Sequence, residues 1–354
     1  MKNIILIMLF LTASVASSVF TANADTSGKE KYLVDDISPS YYAKIEEDRK
    51  GNDSAIIQIY QRGNSSFLFQ VKARMVTLDF DADNKNATQI KLPYAKQELI
   101  IYDDFNFDKV NDFAIFDGRN SCYGGPSFQI YLAQDDGRFK LSTGFTRLAQ
   151  EYCGMFNYYA DKKQLQVSTK SGCCNFETST FILEKNEPKA IKVINDSYTG
   201  RYIESEISRW NGSRMIKTRQ KKIYDEGDGS IQEIFVFSLA KNNKKQVKLF
   251  IAPDDKVLNY AFINKENIEF NYPKVYGENK PFVFTQSGSQ KTLVFYNGKT
   301  KYSLYQNENA KGINKIGILV TTNGKNYDLA GDLATLKGRL DGFGKEVTNV
   351  SYEQ

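Results

Sequence analysis

Three Asn-Gly pairs, Asn211-Gly212, Asn297-Gly298 and Asn323-Gly324, each stand between runs rich in β-branched and aromatic residues. Both central residues of a type I′ turn need positive φ, which Asn and Gly tolerate, and the twist of that turn matches the strands it joins. Residues 295–302, FYNGKTKY, are the clearest instance. A chain punctuated in this way folds into hairpins. Upstream, residues 32–34, 55–60, 66–71 and 75–80 read as strands. In the last of these Val76, Leu78 and Phe80 alternate with Thr77, Asp79 and Asp81, the period of two that buries one face of a sheet. Residues 113–116, 128–133, 165–169, 178–183 and 190–194 extend the series. Helix is confined to one turn near 146–151 and a short piece within 330–340. The expected class is all-β, with antiparallel sheets arranged as a sandwich, a barrel or propeller-like hairpins.

The chain has 354 residues, of which 41% are hydrophobic and 13% aromatic, enough for two cored domains. Lys2, the apolar run 4–11 and Ala22-Asn23-Ala24 before Asp25 have the form of an export signal with an A-x-A cleavage site. The apolar run is too short to span a bilayer. A polar turn stretch at 195–200 closes the segment that carries the cysteines. The expected organisation is therefore a signal peptide over 1–24, a disulfide-braced β domain over 25–200 and a second antiparallel β domain over 201–354. The mature protein is expected to be periplasmic, without membrane insertion.

Between two apolar runs, residues 100–117 carry oxygen donors at Asp104, Asn106, Asp108 and Asp112. Calcium takes six to eight oxygens at about 2.3–2.6 Å, so several must converge on one point. A spacing of two lets a tight loop aim alternate side chains at one centre. The Val110 carbonyl and Asp112 would fill the seventh and ninth places. This is not an EF-hand, because the flanks are strand-like and the twelfth place is Ile115. The sixth place, where such loops use Gly for a sharp turn, is Lys109. Asp79, Asp81 and Asp83 read instead as an acidic strand face entering a turn, and the acids of 225–229 lack the spacing.

The chain has no histidine, which excludes Ser-His-Asp and Cys-His catalysis. Its net charge is +5 without a clustered basic footprint, which argues against nucleic acid as a partner. The four cysteines, Cys122, Cys153, Cys173 and Cys174, point to two disulfides in an oxidising compartment. Adjacent strand residues face opposite ways, which favours Cys173 and Cys174 each reaching one of the distant pair, with a vicinal bond as the alternative.

Residues 104–108 (DFNFD), 123–127 (YGGPS) and 171–174 (SGCC) occur in this order with strands between them. Together they resemble a family of exported β proteins that includes the lysozyme-inhibitor-like immunity proteins of antibacterial secretion systems, over roughly residues 97–196. The 104 loop also resembles the calcium loop of FG-GAP repeats. The resemblance implies calcium at Asp104, Asn106, Asp108, the Val110 carbonyl and Asp112. It also implies a partner that is a peptidoglycan-cleaving effector. Lys109 and Asn111 depart from the pattern, which has Gly and commonly Pro there. Contacts to such a partner would come from Tyr123, Ser127, Ser171 and Asn175, each of which also has a purely structural role open to it.

The function expected is a binding protein without a reaction of its own, an inhibitor or immunity protein against a cell-wall hydrolase. The alternatives are a cell-wall or carbohydrate-binding module and a glycoside hydrolase working through paired carboxylates such as Glu46 and Glu47.

Overall fold

The computed structural model describes residues 23–24, 29–35, 37–48, 54–74, 89–92, 95–224, 231–252, 256–275 and 281–353. Most of the export segment, the strand expected at 75–80 with its acidic face, and the 225–229 turn lie outside them. Strands dominate, as the turn pattern requires. The chain divides into two compact units, residues 1–167 with 181–189, and residues 168–180 with 190–354.

In the first unit a five-stranded antiparallel meander runs through Asn23–Ala24, Lys29–Val34, Tyr41–Asp48, Ser54–Gln61 and Phe67–Ala73. A four-stranded sheet orders Phe139–Leu141, Gly125–Ala133, Asp112–Ser121 and Ile100–Asp103. Alternation places Ile45, Ile57, Ile59 and Val71 of the first sheet, and Phe113, Ile115, Phe128 and Ile130 of the second, out of water. An aromatic cluster joins the two sheets: Phe69 stacks on Tyr131 at 4.2 Å between ring centroids, and Tyr41 meets Phe113 edge-on at 5.3 Å. The backbones also meet, since the Arg74 N–H donates to the Asp117 carbonyl at 3.1 Å. Gly118, at φ 138°, permits this approach, because a Cβ there would lie 2.7 Å from the Arg74 carbonyl oxygen. The helix occupies Thr143–Leu148, starting three residues before the expected turn. Ser142 caps it by accepting the Phe145 N–H, a signal its sequence position offers.

Asn157–Tyr159, Gln164–Ser171, Asn175–Glu184, Glu187–Thr199, Tyr202–Trp210 and Met215–Ile223 form a six-stranded sheet in that order. The boundary expected at 195–200 is not a break. Asn195 to Thr199 stay in register with Glu206 to Tyr202, and the chain turns only at Gly200, which takes φ 58°. Polar residues there line a solvated sheet face, which composition alone does not separate from a loop.

The second unit also contains a sandwich. Gln232–Leu239, Asn242–Ala252, Val257–Asn264 and Asn267–Tyr272 form one sheet with Lys337–Gly338. Phe282–Ser287, Gln290–Asn297, Thr300–Asn309, Gly312–Thr322 and Lys325–Ala330 form the other. Their shared core includes Phe235, Phe237, Leu249, Tyr260, Phe295 and Leu304. Asn297-Gly298 and Asn323-Gly324 make the expected tight hairpins. Asn211 works differently, its side chain accepting the N–H groups of Ser213 and Arg214 at 3.0 Å each. The C-terminal strand Val350–Glu353 pairs parallel to Phe282–Ser287, an exception to the antiparallel rule. The helix expected within 330–340 is one 3-10 turn, Leu333–Thr335, because Asp332 caps it and the chain then pairs again as strand.

Candidate functional site

The loop between Ile100–Asp103 and Asp112–Ser121 is built from its own side chains. The Asp104 carboxylate accepts the N–H of Asp108 at 3.1 Å and of Lys109 at 2.9 Å. Asn106 Oδ1 accepts the same Asp108 N–H at 3.3 Å, and its Nδ2 donates to Asp108 Oδ2 at 2.8 Å. Asp108 Oδ1 accepts the Val110 N–H at 2.8 Å. Asp104, Asn106 and Asp108 therefore turn their oxygens onto one short stretch of backbone. Phe107 and Lys109 hold φ 63° and 76°, so Lys109 adopts the left-handed conformation for which such loops select Gly. Phe105 is fully buried against Phe156 and Tyr158 and roots the loop in the first unit's core.

Asp112 plays a different part from its neighbours. It is fully buried, and its two oxygens accept the N–H groups of Phe105 at 3.0 Å and Ala133 at 2.9 Å. Burial pushes its carboxyl up to about 7. Those two hydrogen bonds oppose the shift, and the charges of Asp108 and Asp104 add to it. A buried carboxylate beside two others gains from a bound cation. Among the described residues no three His, Cys, Asp or Glu side chains are grouped to hold a metal. A cation here needs the Asn106 amide oxygen as its third side-chain donor. With Asp104 and Asp108 that donor set is hard oxygen, the type calcium takes. Val110 is 52% exposed, and Asp112 is buried with its oxygens on the Phe105 and Ala133 N–H groups.

The cysteines pair as Cys122–Cys153 and Cys173–Cys174. This corrects the favoured crossed pairing: Cys173 and Cys174 lie in the turn between Gln164–Ser171 and Asn175–Glu184, not on a strand, so alternation does not separate them. The Cys122–Cys153 bridge pins the turn that presents Tyr123, whose φ is 54° and whose side chain is 64% exposed. The Cys122 N–H also donates to the Tyr152 carbonyl.

The four expected contact residues part company. Tyr123 is 64% exposed. Ser127 is fully buried, donating to Asp117 Oδ1 at 2.6 Å and accepting from the Asn120 N–H at 3.2 Å, and Gln150 Nε2 completes the set on Asp117 at 2.6 Å. It holds the turn and is not a surface contact. Ser171 and Asn175 are exposed beside the vicinal disulfide, in the second unit, with Asn175 Oδ1 accepting from Ser197 at 3.0 Å. Glu46 and Glu47 are consecutive strand residues pointing to opposite sides, so they do not form a facing pair.

Fold and site together define a class: an all-β protein of hairpin sheets carrying an oxygen-lined loop and a disulfide-pinned turn. Compared by sequence, the chain matches no family model and no curated protein. Among solved structures it is similar to a type IV secretion system related protein of Xanthomonas, at 18% identity and a TM-score of 0.40, over 56% of this chain and 98% of that one. It is also similar to a prolyl endopeptidase (7%, TM-score 0.22, 91% of this chain and 50% of that one). A third likeness is to TolB from Acinetobacter baumannii (13%, TM-score 0.16, 88% and 65%). Likenesses this distant carry no argument about activity.

Proposed function

We propose that this chain is an exported, periplasmic binding protein that inhibits a peptidoglycan-cleaving enzyme, in the manner of an immunity protein. The observation that carries the reading is the presentation of Tyr123. A large amphipathic side chain is held out on a turn fixed by the Cys122–Cys153 bridge and by left-handed backbone at Tyr123 and Gly124. A pre-ordered turn loses little entropy on docking, and tyrosine is among the residues that dominate interface energies. Its hydroxyl would hydrogen-bond one of the carboxylates that flank a glycosidic bond in the partner's cleft. Calcium held by Asp104, Asn106 and Asp108 would stiffen the loop those residues form, at the other end of strand Asp112–Ser121 from Tyr123. The protein carries out no reaction in this reading.

The test is a turbidimetric lysis assay with the exported chain and a panel of lysozymes and secreted muramidases. At least one enzyme is inhibited, and Tyr123→Ala weakens that inhibition tenfold or more, about 1.4 kcal/mol. A panel that is neither inhibited nor captured by the protein refutes the reading.

A further inference from the structure

The six-stranded sheet ends at Met215–Ile223, and among the described residues no strand pairs with its far side. At nine residues it is the longest edge strand of the described sheets. Two hydrogen bonds fix which backbone groups that side presents. The Tyr224 N–H donates to the Arg201 carbonyl at 2.8 Å, and the Asn211 N–H to the Arg214 carbonyl at 3.1 Å. Even-numbered residues of the strand therefore turn their backbone groups toward Tyr202–Trp210, since antiparallel pairs alternate. Odd-numbered ones turn away, as the Lys221 N–H does in donating to Asn267 Oδ1 at 2.9 Å. Met215, Lys217 and Arg219 hold their N–H and C=O groups outward in the same way, in a stretch whose residues 216–219 are exposed. We infer that residues 215–220 are a docking edge, where an extended acidic segment of a partner protein adds a further strand to this sheet.

Backbone and charge together select that occupant. An open edge offers main-chain hydrogen bonds to any extended peptide, whatever its sequence. Charge supplies the discrimination. The strand reads MIKTRQKKI, four cations without an acid. Lys217, Arg219 and Lys221 share one face of the sheet, opposite Ser208, Glu206 and Glu204. Glu204 pairs with Lys221 at 2.9 Å. Glu206 serves both Lys217 at 2.7 Å and Arg219 at 3.7 Å, and those two side chains remain 69% and 87% exposed. Arg209 and Arg214 stand exposed at the hairpin end of the strand and add to the positive field. A strand laid along this edge sets every second side chain beside the cation row, where acids are favoured and cations repelled. The segment that fits carries Asp or Glu at alternate positions. The same rule turns away a second copy of this chain, because two identical edges would set cations against cations.

The inference stands apart from hydrolase inhibition, and its test separates the two. Fluorescence anisotropy on the full exported chain uses labelled, end-blocked octapeptides that alternate Thr with Glu or Thr with Lys, and heparin as a polyanion without a peptide backbone. The Glu peptide binds saturably, the Lys peptide and heparin bind at least tenfold more weakly, and Tyr123→Ala changes nothing. Lys217→Ala weakens the Glu peptide about threefold. Lys217→Pro removes the same charge and also an outward N–H that the sheet does not use, so the fold tolerates it and binding falls at least tenfold further. Lys217→Glu combined with Arg219→Glu reverses the preference toward the Lys peptide, and decides the matter if the proline variant melts early. Absence of saturable binding of the Glu peptide at millimolar concentration overturns the inference and leaves the cations as guards of a closed edge. Heparin or the Lys peptide binding as tightly as the Glu peptide also overturns it, as does equal loss in a well-folded Lys217→Pro and in Lys217→Ala. Dimerisation of the chain that the charge reversal abolishes would assign the edge to a second copy instead, and overturns it as well.

Discussion

Lys109 takes φ 76° at the sixth place of the oxygen-lined loop, where its Cβ works against the backbone. Left-handed conformation costs a non-glycine residue about 1–2 kcal/mol, and glycine returns part of that as unfolded-chain entropy. Lys109→Gly should therefore raise stability by about 0.5–1 kcal/mol, read as a higher melting temperature. A fall in melting temperature would show that the lysine side chain holds the loop by another means. Gly118 is the opposite case. Gly118→Ala would drive a Cβ to 2.7 Å from the Arg74 carbonyl oxygen, where the two sheets of the first unit meet. The expected cost is about 1–3 kcal/mol in denaturant unfolding, and an unchanged midpoint would contradict it. The spacing of Asp104, Asn106 and Asp108 was legible in the sequence because a loop sets its own short-range geometry. The separate part of Asp112 was not. Its partner, the Ala133 N–H, lies 21 residues away and is supplied by tertiary pairing.

Elements were most legible where turn chemistry is local. Asn297-Gly298 and Asn323-Gly324 define their hairpins, and the strand at 190–194 was found but cut short, because polar residues 195–199 continue it on a solvated face. The segment after Leu333–Thr335 was not legible, since what holds it is distant in sequence. Lys291, with a side chain only 8% exposed, pairs with Glu308 at 2.8 Å and Asp341 at 2.7 Å. Arg339 contacts both acids, Glu308 at 2.6 Å and Asp341 at 3.3 Å. Burial, the largest single influence, would raise the Asp341 carboxyl, but the Lys291 hydrogen bond, its own backbone N–H and the charges of Lys291 and Arg339 together outweigh it, and the group sits below its ordinary 3.8. A carboxyl depressed by folding stabilises the protein above its unfolded value, and that contribution is lost as pH falls through the lower folded one. Asp341→Asn should therefore melt earlier than wild type at pH 7 and lose less melting temperature between pH 5 and pH 2. Parallel acid dependence in the two proteins would contradict this.

At the scale of the whole molecule, the all-β class followed from turn residues and alternation, whereas the disulfide pairing and the division into units depend on contacts that no short window contains. The two bridges should differ sharply in weight. Cys122–Cys153 closes a loop over a separation of 31 residues, which on chain entropy is worth about 3–4 kcal/mol. Cys173–Cys174 joins neighbours and restrains almost nothing beyond its own turn. Cys122→Ser with Cys153→Ser should lower the melting temperature far more than Cys173→Ser with Cys174→Ser, and equal losses would refute the ranking.

We propose that Asp104, Asn106 and Asp108 form a calcium clasp in the loop before strand Asp112–Ser121, and calorimetric titration of the EDTA-stripped exported chain with calcium tests it most directly. One site per chain is expected. At a hundredfold excess over its dissociation constant it would add about 2.7 kcal/mol of stability, and it would be abolished by Asp104→Asn with Asp108→Asn. An absence of heat, together with identical melting curves in EDTA and in calcium, would contradict the claim.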